Sequence, residues 1–329
     1  MKRTIAIVAG GDSSEYGVSL QSAANILFSM DKDKYDCYVV EMKGKKWQVN
    51  YGEELCSVDR NDFSFNAADG RHTFDFAYIT IHGTPGENGL LQGYFDLIGL
   101  PYSTSDVLVE ALTFNKFALN NYLRSDSSFN ISDSLLLRKG DELPADEAIV
   151  SRLGLPCFVK PNAGGSSFGV TKVKTIDGLR PAIAKAMQES PEVMVEKIMV
   201  GTEITCGCYK RGNEIFTFPI TEVVTEQEFF DFEAKYHNKS QEITPARIAP
   251  ETAQRVSEMT KCIYKMLNCY GIIRIDYILS GEKGNETINI LEINTTPGMT
   301  VASFIPQQVR AAGLELKDVF SDIIEGRFA

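Results

Sequence analysis

The chain has 329 residues, 33 lysines and arginines against 44 aspartates and glutamates, and a formal net charge of −11. That length suits two or three domains, and the acidic balance, with no local basic stripe, excludes a nucleic-acid binder. With 43% hydrophobic and 23% charged residues the composition is globular, and no apolar run nears the roughly 20 residues of a membrane span. Residues 5–9 are too short an apolar stretch for a signal peptide. Seven cysteines without framework spacing fit a reducing compartment. A cytoplasmic location with no membrane partner is expected.

Residues 3–9 are apolar throughout, as a buried parallel strand is. After Gly10-Gly11, Asp12 or Ser13 is placed to cap a helix whose apolar face is Leu20, Ala23, Ala24 and Leu27. Strands follow at 35–42 and 74–81, with a helix at 90–98 that Pro101 ends. These elements make a small open α/β unit over the first hundred residues. Residues 44–72, with Trp47 in a hairpin, read as an edge insertion. Ser105 caps one long helix to Leu123. Beyond it, strands are expected at 131–137, 157–160, 170–174 and 193–199. A hairpin at 204–219 turns at Arg211-Gly212-Asn213. Pro250 opens a helix to about Leu267, and strands 271–279 and 287–293 flank a turn at 281–285. The second half is therefore α+β.

No G-x-x-x-x-G-K-[ST] and no G-x-G-x-x-G occurs in the chain. Gly165-Ser166-Ser167-Phe168-Gly169 matches the G-x-S-x-G nucleophile elbow, which requires a following helix, but the alternating segment 170–174 reads as a strand. Only His237 lies downstream as a base, so a serine hydrolase acting through Ser167 is disfavoured. A strand–glycine loop–strand hairpin over 158–174 suits the covering of a polyphosphate, with Lys160 as a neighbouring cation. A solvated surface hairpin explains the loop alone equally well.

Three further positions favour the polyphosphate. Side chains alternate along a strand, so Arg274 and Asp276 share one face of theirs, and Glu292 and Asn294 share one face of the next. The intervening isoleucines supply core. If the two polar faces coincide, Asp276, Glu292 and Asn294 form a set of hard oxygen donors suited to Mg²⁺. Nothing has zinc spacing, and a solvated strand face is the plain alternative.

The segments GGDSSEYGVSL (10–20), IHGTPGENGLLQG (81–93), FVKPNAGGSSFGV (158–170), VEK with GTEIT (195–205), FEAKY (232–236), RIDYIL (274–279) and EINTTPGMT (292–300) resemble, in order, the D-alanine–D-alanine ligases of the ATP-grasp superfamily. The resemblance spans nearly the whole chain. It implies an α/β N-terminal domain (1–104) followed by an α+β ATP-grasp fold, whose central (105–200) and C-terminal (201–329) subdomains clasp ATP. It also implies a homodimer and a role in peptidoglycan precursor synthesis.

Carried onto this sequence, the family pattern gives Lys116, Lys160 and Lys235 to the ATP phosphates, with Ser167 in the loop above them. Glu196, the backbone of Lys197 and Met199 read adenine, and Glu203 holds the ribose. Asp276, Glu292 and Asn294 hold two Mg²⁺ (or Mn²⁺) ions. Glu15, Ser166 and Tyr236 form the trio that orients the first D-alanine, with His82 near its carboxylate. Arg274 and the Gly298 N–H face the oxyanion, and Ser303 and Phe304 receive the second D-alanine. Phe230 stands where many members have tyrosine, and Met199 and Phe304 stand where leucine is common.

The implied reaction joins two D-alanines through a D-alanyl phosphate, with a water-excluding lid expected at 225–244. No base for the second amine is evident. The alternatives are a D-alanine–D-lactate or D-alanine–D-serine ligase, which Tyr236 disfavours, and a non-catalytic ATP-binding regulator, which the intact metal set and Arg274 disfavour.

Overall fold

The computed structural model describes residues 2–165, 168–225 and 240–329. In chain order its N-terminal elements are β1 (Arg3–Gly10), α1 (Tyr16–Ser29), β2 (Tyr35–Lys43), β3 (Lys46–Tyr51), β4 (Glu54–Asp59), β5 (Ser64–Ala67), β6 (Gly70–His72), β7 (Phe76–Ile79) and α2 (Leu90–Ile98). One sheet runs β6-β5-β4-β3-β2-β1-β7. β1 pairs in parallel with β2 and β7, and the remaining pairs are antiparallel. The expected edge insertion is thus four strands that lengthen the sheet. Trp47 packs edge-on against Phe63 and Tyr94, with centroids 6.1 and 5.2 Å away.

Of the expected apolar face of α1, Ala23 is buried and Leu20 and Leu27 pack, partly buried, against the core, while Ala24 is exposed. The buried residues of the helix are Ser19, Ser22, Ala23 and Ile26, and Glu15, not Asp12 or Ser13, occupies the N-cap. Ser19 explains part of this. Its hydroxyl accepts from the Gly10 N–H and donates to the Thr80 carbonyl, satisfying backbone groups at the ends of β1 and β7.

The helix expected from 105 to 123 is two helices, α3 (Val107–Phe114) and α4 (Lys116–Leu123). Asn115 ends one and caps the other, its side-chain oxygen accepting from the Ala118 N–H at 3.0 Å. Asp106, not Ser105, caps α3. The strand expected at 131–137 also divides. β8 (Asn130–Ile131) and β9 (Ser134–Arg138) join different sheets. Then come α5 (Asp146–Leu153), β10 (Cys157–Pro161), β11 (Thr171–Val173), α6 (Leu179–Glu189) and β12 (Glu192–Lys197). The antiparallel sheet β11-β10-β12-β9 buries Val159, Val193 and Val195 against Leu179, Ile183 and Ala186 of α6.

The last part comprises β13 (Thr202–Arg211), β14 (Glu214–Thr217), β15 (Thr221–Thr225), β16 (Ser240–Ile243), α7 (Pro250–Met266), β17 (Ile273–Ser280), β18 (Thr287–Asn294), α8 (Phe304–Ala311) and α9 (Leu316–Glu325). Its sheet runs β16-β15-β13-β17-β18-β8, with β14 also on β13. Two cores meet this sheet. Val109, Leu119 and Leu123 of α3 and α4 pack with Val256 and Ile263 of α7 against its isoleucines. Ile305, Val309, Phe320 and Ile323 of α8 and α9 share a core with Ile5 and Ile7 of β1. The C-terminal helices are thereby fastened to the N-terminal sheet, and a cleft is left where the three sheets approach one another.

Candidate active site

The polar faces of β17 and β18 coincide. Asp276 stands opposite Glu292 and Arg274 opposite Asn294, and directly opposed residues of an antiparallel pair project to the same side. Ile275 and Ile293 are opposed in the same ladder and lie in the core. β13 adds Thr205 opposite Asp276 and Gly207 opposite Arg274. Arg274 donates from Nε and Nη2 to the two oxygens of Asp276, both at 2.8 Å. Asp276 also accepts from Thr205 at 2.5 Å and from the Asn294 amide at 3.1 Å. Burial opposes the Arg274 charge, but the carboxylates of Asp276, Glu292 and Glu203 together outweigh it and hold the pKa above the ordinary arginine value. Among the described residues no group of three or more His, Cys, Asp and Glu is arranged as a metal site. The hairpin instead offers two carboxylates and an amide, a donor set that fits a hard cation.

Lys116 reaches this face from α4. Its Nζ lies 2.7 Å from Glu292 Oε1 and 2.8 Å from the Gly164 carbonyl. It stands at the first position of α4, not in mid-helix, and its own N–H donates to the Asn162 carbonyl at 3.0 Å. The Asn115 break therefore brings both the lysine and the glycine loop to the metal face. Gly165 permits a close approach from the other side, since a Cβ there would lie 2.2 Å from Glu15 Oε2. Glu15, Gly165, Glu292 and Asn294 line one cleft of about 170 Å³ with His82, Glu87, Glu242, Arg274 and the turn from Thr296 to Phe304.

His82 is only 5% exposed. Its Nδ1 lies 2.9 Å from the Thr296 carbonyl, which can only accept, so Nδ1 carries the proton. Nε2 faces the Ser22 hydroxyl at 3.5 Å. Burial holds the imidazole below its ordinary pKa, against the opposing pull of Glu15. Ser22 also accepts from the Met299 N–H, and Asn25 donates to the Met299 carbonyl. In this way α1 grips the turn that carries Gly298. A Cβ on Gly298 would come within 2.9 Å of Ser303 Oγ, so that turn is closely folded. Ser303 stands at the N-cap of α8, and Phe304 lies under Arg274 with 5.3 Å from guanidinium to ring centroid. Glu87 accepts from the Gly83 N–H at 2.6 Å, and burial with the nearby Glu15 charge raises its pKa to about 8.

Away from this cleft, Lys160 on β10 pairs with Glu196 on β12 at 2.6 Å, and both are buried. The Asn120 amide adds a bond to Glu196 at 3.3 Å. The Lys197 N–H donates to the Asp133 carbonyl, and its own carbonyl accepts from Ser132. Met199 lies in the link between β12 and β13, half-buried. Glu203 lies on β13 near enough for its charge to act on Arg274. Ser166, Ser167, Phe230, Lys235, Tyr236 and His237 lie outside the described residues, as does most of the segment expected to form a lid.

The model for the D-ala D-ala ligase N-terminus matches residues 4–105, and that for the D-ala D-ala ligase C-terminus matches residues 125–325. The chain belongs to the D-alanine–D-alanine ligase family. A D-alanine–D-alanine ligase of Phocaeicola vulgatus is 61% identical over the full length of both chains. Among solved structures, the D-Ala:D-Ser ligase VanG of Enterococcus faecalis is 31% identical, with a TM-score of 0.86 over 99% of each chain. The D-alanine–D-alanine ligase of Bacillus anthracis complexed with ATP is 28% identical, with a TM-score of 0.77 over 98% of this chain and 96% of that one.

The family resemblance supplied most of the residues gathered here, but not Ser22, Glu87, Thr205 or Glu242. Glu87 sits inside a recognised segment and Thr205 is the last residue of another, so sequence position alone marked both. Ser22 carried no signal, because a serine on a helix face reads as surface. Glu242 follows a polar stretch with little periodicity, and only the pairing of β15 with β16 turns it toward the cleft.

Proposed function

We propose that this chain ligates two D-alanines to D-alanyl-D-alanine at the expense of ATP, forming a carbon–nitrogen bond through a D-alanyl phosphate, for peptidoglycan precursor synthesis. The observation that carries the reading is the meeting, in one cleft of a chain of this family, of the Arg274–Asp276–Asn294–Glu292 face with Glu15, His82 and the Gly298–Phe304 turn.

A carboxylate is a poor electrophile because its oxygens leave badly. ATP phosphorylates one carboxylate oxygen of the first D-alanine to give an acyl phosphate, a mixed anhydride, and the amine of the second D-alanine then displaces that phosphate. Phosphoryl transfer asks chiefly for positioning and charge neutralisation. Lys160 and Lys116, with Lys235, supply cations to the phosphates, while Ser167 covers them. Glu196, the Lys197 backbone and Met199 hold adenine between the central and C-terminal sheets, and Glu203 takes the ribose. Asp276, Glu292 and Asn294 would hold two Mg²⁺ or Mn²⁺ ions, which neutralise phosphate charge when bound. In holding them, Glu292 would loosen its pairing with Lys116.

Glu15, acting with Ser166 and Tyr236, takes the ammonium of the first D-alanine, and neutral His82 stands beside its carboxylate. Arg274 and the Gly298 N–H donate to the oxyanion of the tetrahedral step. The carboxylate of the second D-alanine meets Ser303, Phe304 and the positive end of α8. A homodimer and a cytoplasmic site of action complete the proposal. No helix among the described residues is long and apolar enough to cross a membrane.

The test is ATP-dependent phosphate release with Mg²⁺ and D-alanine, L-alanine, D-serine, or D-alanine with D-lactate, the products identified by mass. Release that requires D-alanine and yields the dipeptide is expected. Release only with D-lactate or D-serine present would overturn the acceptor assignment. ATP binding without release would overturn catalysis.

A further inference from the structure

The reaction as described leaves the protons of the acceptor nitrogen unassigned. The second D-alanine arrives as a zwitterion, and its ammonium must lose a proton before nitrogen can attack. We propose that Glu242 receives the ammonium group of the acceptor amino acid and takes its proton, and thereby favours an amino acid over a hydroxy acid as acceptor. The inference rests on the ligation reading above.

Its support is positional. Glu242 lies on β16, opposite Val223 of β15, and lines the cleft with Arg274, Gly298, Ser303 and Phe304. Gln307, one turn into α8, donates to Glu242 Oε2 at 2.5 Å and to the Ala302 carbonyl at 2.7 Å. That amide fixes the carboxylate beside the turn that opens α8. Among the described residues the other carboxylates of the cleft have different company: Glu15 lies against Gly165, Glu87 accepts from the Gly83 N–H, and Glu292 pairs with Lys116. Glu242 is thus, among the described residues, the carboxylate tethered to the acceptor end of the cleft. An amino acid bound there would set its own carboxylate at the N-terminus of α8 and its ammonium toward Glu242. Burial raises the Glu242 pKa against the opposing pulls of the Gln307 amide and of Arg274, so the carboxylate is suited to accept a proton.

The step balances. One N–H proton passes to a Glu242 oxygen, and the freed nitrogen lone pair forms the C–N bond at the acyl carbon. The C–O bond to phosphate breaks, inorganic phosphate leaves with its electron pair, and a phosphate oxygen takes the second proton that the nitrogen must lose to become an amide. D-lactate brings a hydroxyl in place of the ammonium, so the carboxylate would meet no cation. A site built for one polar group rejects an analogue that lacks it, because its own group is left unpaired.

The experiment supplies full-length enzyme with ATP, Mg²⁺, D-alanine and D-lactate together, and measures dipeptide and depsipeptide by mass. Glu242→Gln keeps an oxygen for the Gln307 amide. It is expected to slow dipeptide formation by about a hundredfold, with the KM for ATP and the melting temperature unchanged, and to raise the depsipeptide share at least about tenfold. Glu242→Asp, still a carboxylate, is expected to keep the native product ratio. Native rate and ratio in Glu242→Gln would overturn the inference, as would an equal change of ratio in both variants. If the unaltered enzyme makes no dipeptide, the ligation reading fails and this one with it. If it does and Glu242→Gln matches it, only the Glu242 assignment fails.

Discussion

Arg274 and Asp276, two residues apart on one strand, close a two-point bridge in which each guanidinium donor meets a different carboxylate oxygen at 2.8 Å. The alternation of a strand puts them on one face, and the planar fork of arginine matches the carboxylate. The residue proposed to face the oxyanion and one proposed to hold metal therefore orient each other. Arg274→Ala is expected to lower kcat by about a hundred- to a thousandfold with little change in the KM for ATP. Arg274→Lys should recover only part of the loss, because an ammonium cannot make the fork. Steady-state kinetics of both variants decide it, and near-native turnover in Arg274→Ala would remove the oxyanion role.

Lys160 and Glu196 form a second pair, with 9% and 3% of their surfaces exposed. Removing one partner of such a pair strands a buried charge and costs about 3–5 kcal/mol. Lys160→Met is thus expected to lower both stability and ATP affinity. The double variant Lys160→Met with Glu196→Gln should regain most of the stability but none of the affinity for ATP. Denaturant titrations and ATP binding on the three variants separate these effects. A double variant no more stable than Lys160→Met would show that the stranded charge is not the cause.

The legible parts of the fold were those where pattern and packing agree. Strands 3–9 and 35–42 lie in the middle of a sheet and carry apolar runs, and residues 90–98 end at Gly99, which adopts a left-handed φ of 71°. The period of two set Arg274 with Asp276 and Glu292 with Asn294, and the pairing of β17 with β18 then made the two faces one. What was not legible depended on contacts distant in sequence. The 105–123 helix breaks because Asn115 is needed as a cap where the Asn162 loop docks. The 131–137 run divides because two sheets compete for it. The apolar stripe of α1 gave only part of its buried face, because that face also includes hydroxyls that serve β1, β7 and the Met299 turn. For the site, family motifs named most of the residues, while Glu242 and Ser22 acquire meaning only from pairing in space.

Glu87 gives a test that does not depend on turnover. Its pKa in the fold is about 8 against an ordinary 4.5, so the folded chain keeps a proton that the unfolded chain has lost between those values. The stability this contributes is full below 4.5, declines as pH rises, and is gone above 8. Glu87→Gln, neutral at every pH, removes that slope. The stability of the unaltered protein minus that of Glu87→Gln should therefore fall steadily from pH 4.5 to 8. His82, whose pKa burial lowers, has the opposite effect below its ordinary range but is present in both proteins and cancels. Denaturant unfolding across this range makes the comparison, and a constant difference would mean that Glu87 is ionised in the folded state.

The metal assignment predicts more than a requirement for Mg²⁺. Chelation should abolish dipeptide synthesis, and Mg²⁺ or Mn²⁺ should restore it, but ATP alone binds such cations and explains that much. Asn294 distinguishes the protein's share. Its amide donates to Asp276 at 3.1 Å, leaving the amide oxygen as the donor it would offer a cation. Asn294→Ala should weaken Mn²⁺ binding in the presence of ATP by about tenfold or more, read by electron paramagnetic resonance of the free ion. Because Glu292 is paired with Lys116 at 2.7 Å, a bound cation would compete with that ammonium for the carboxylate. Lys116→Met should then tighten Mn²⁺ binding without nucleotide while weakening ATP. Native Mn²⁺ affinity in both variants would place the cation on the nucleotide alone and leave Asp276, Glu292 and Asn294 with the orientation of Arg274 and Lys116 as their function.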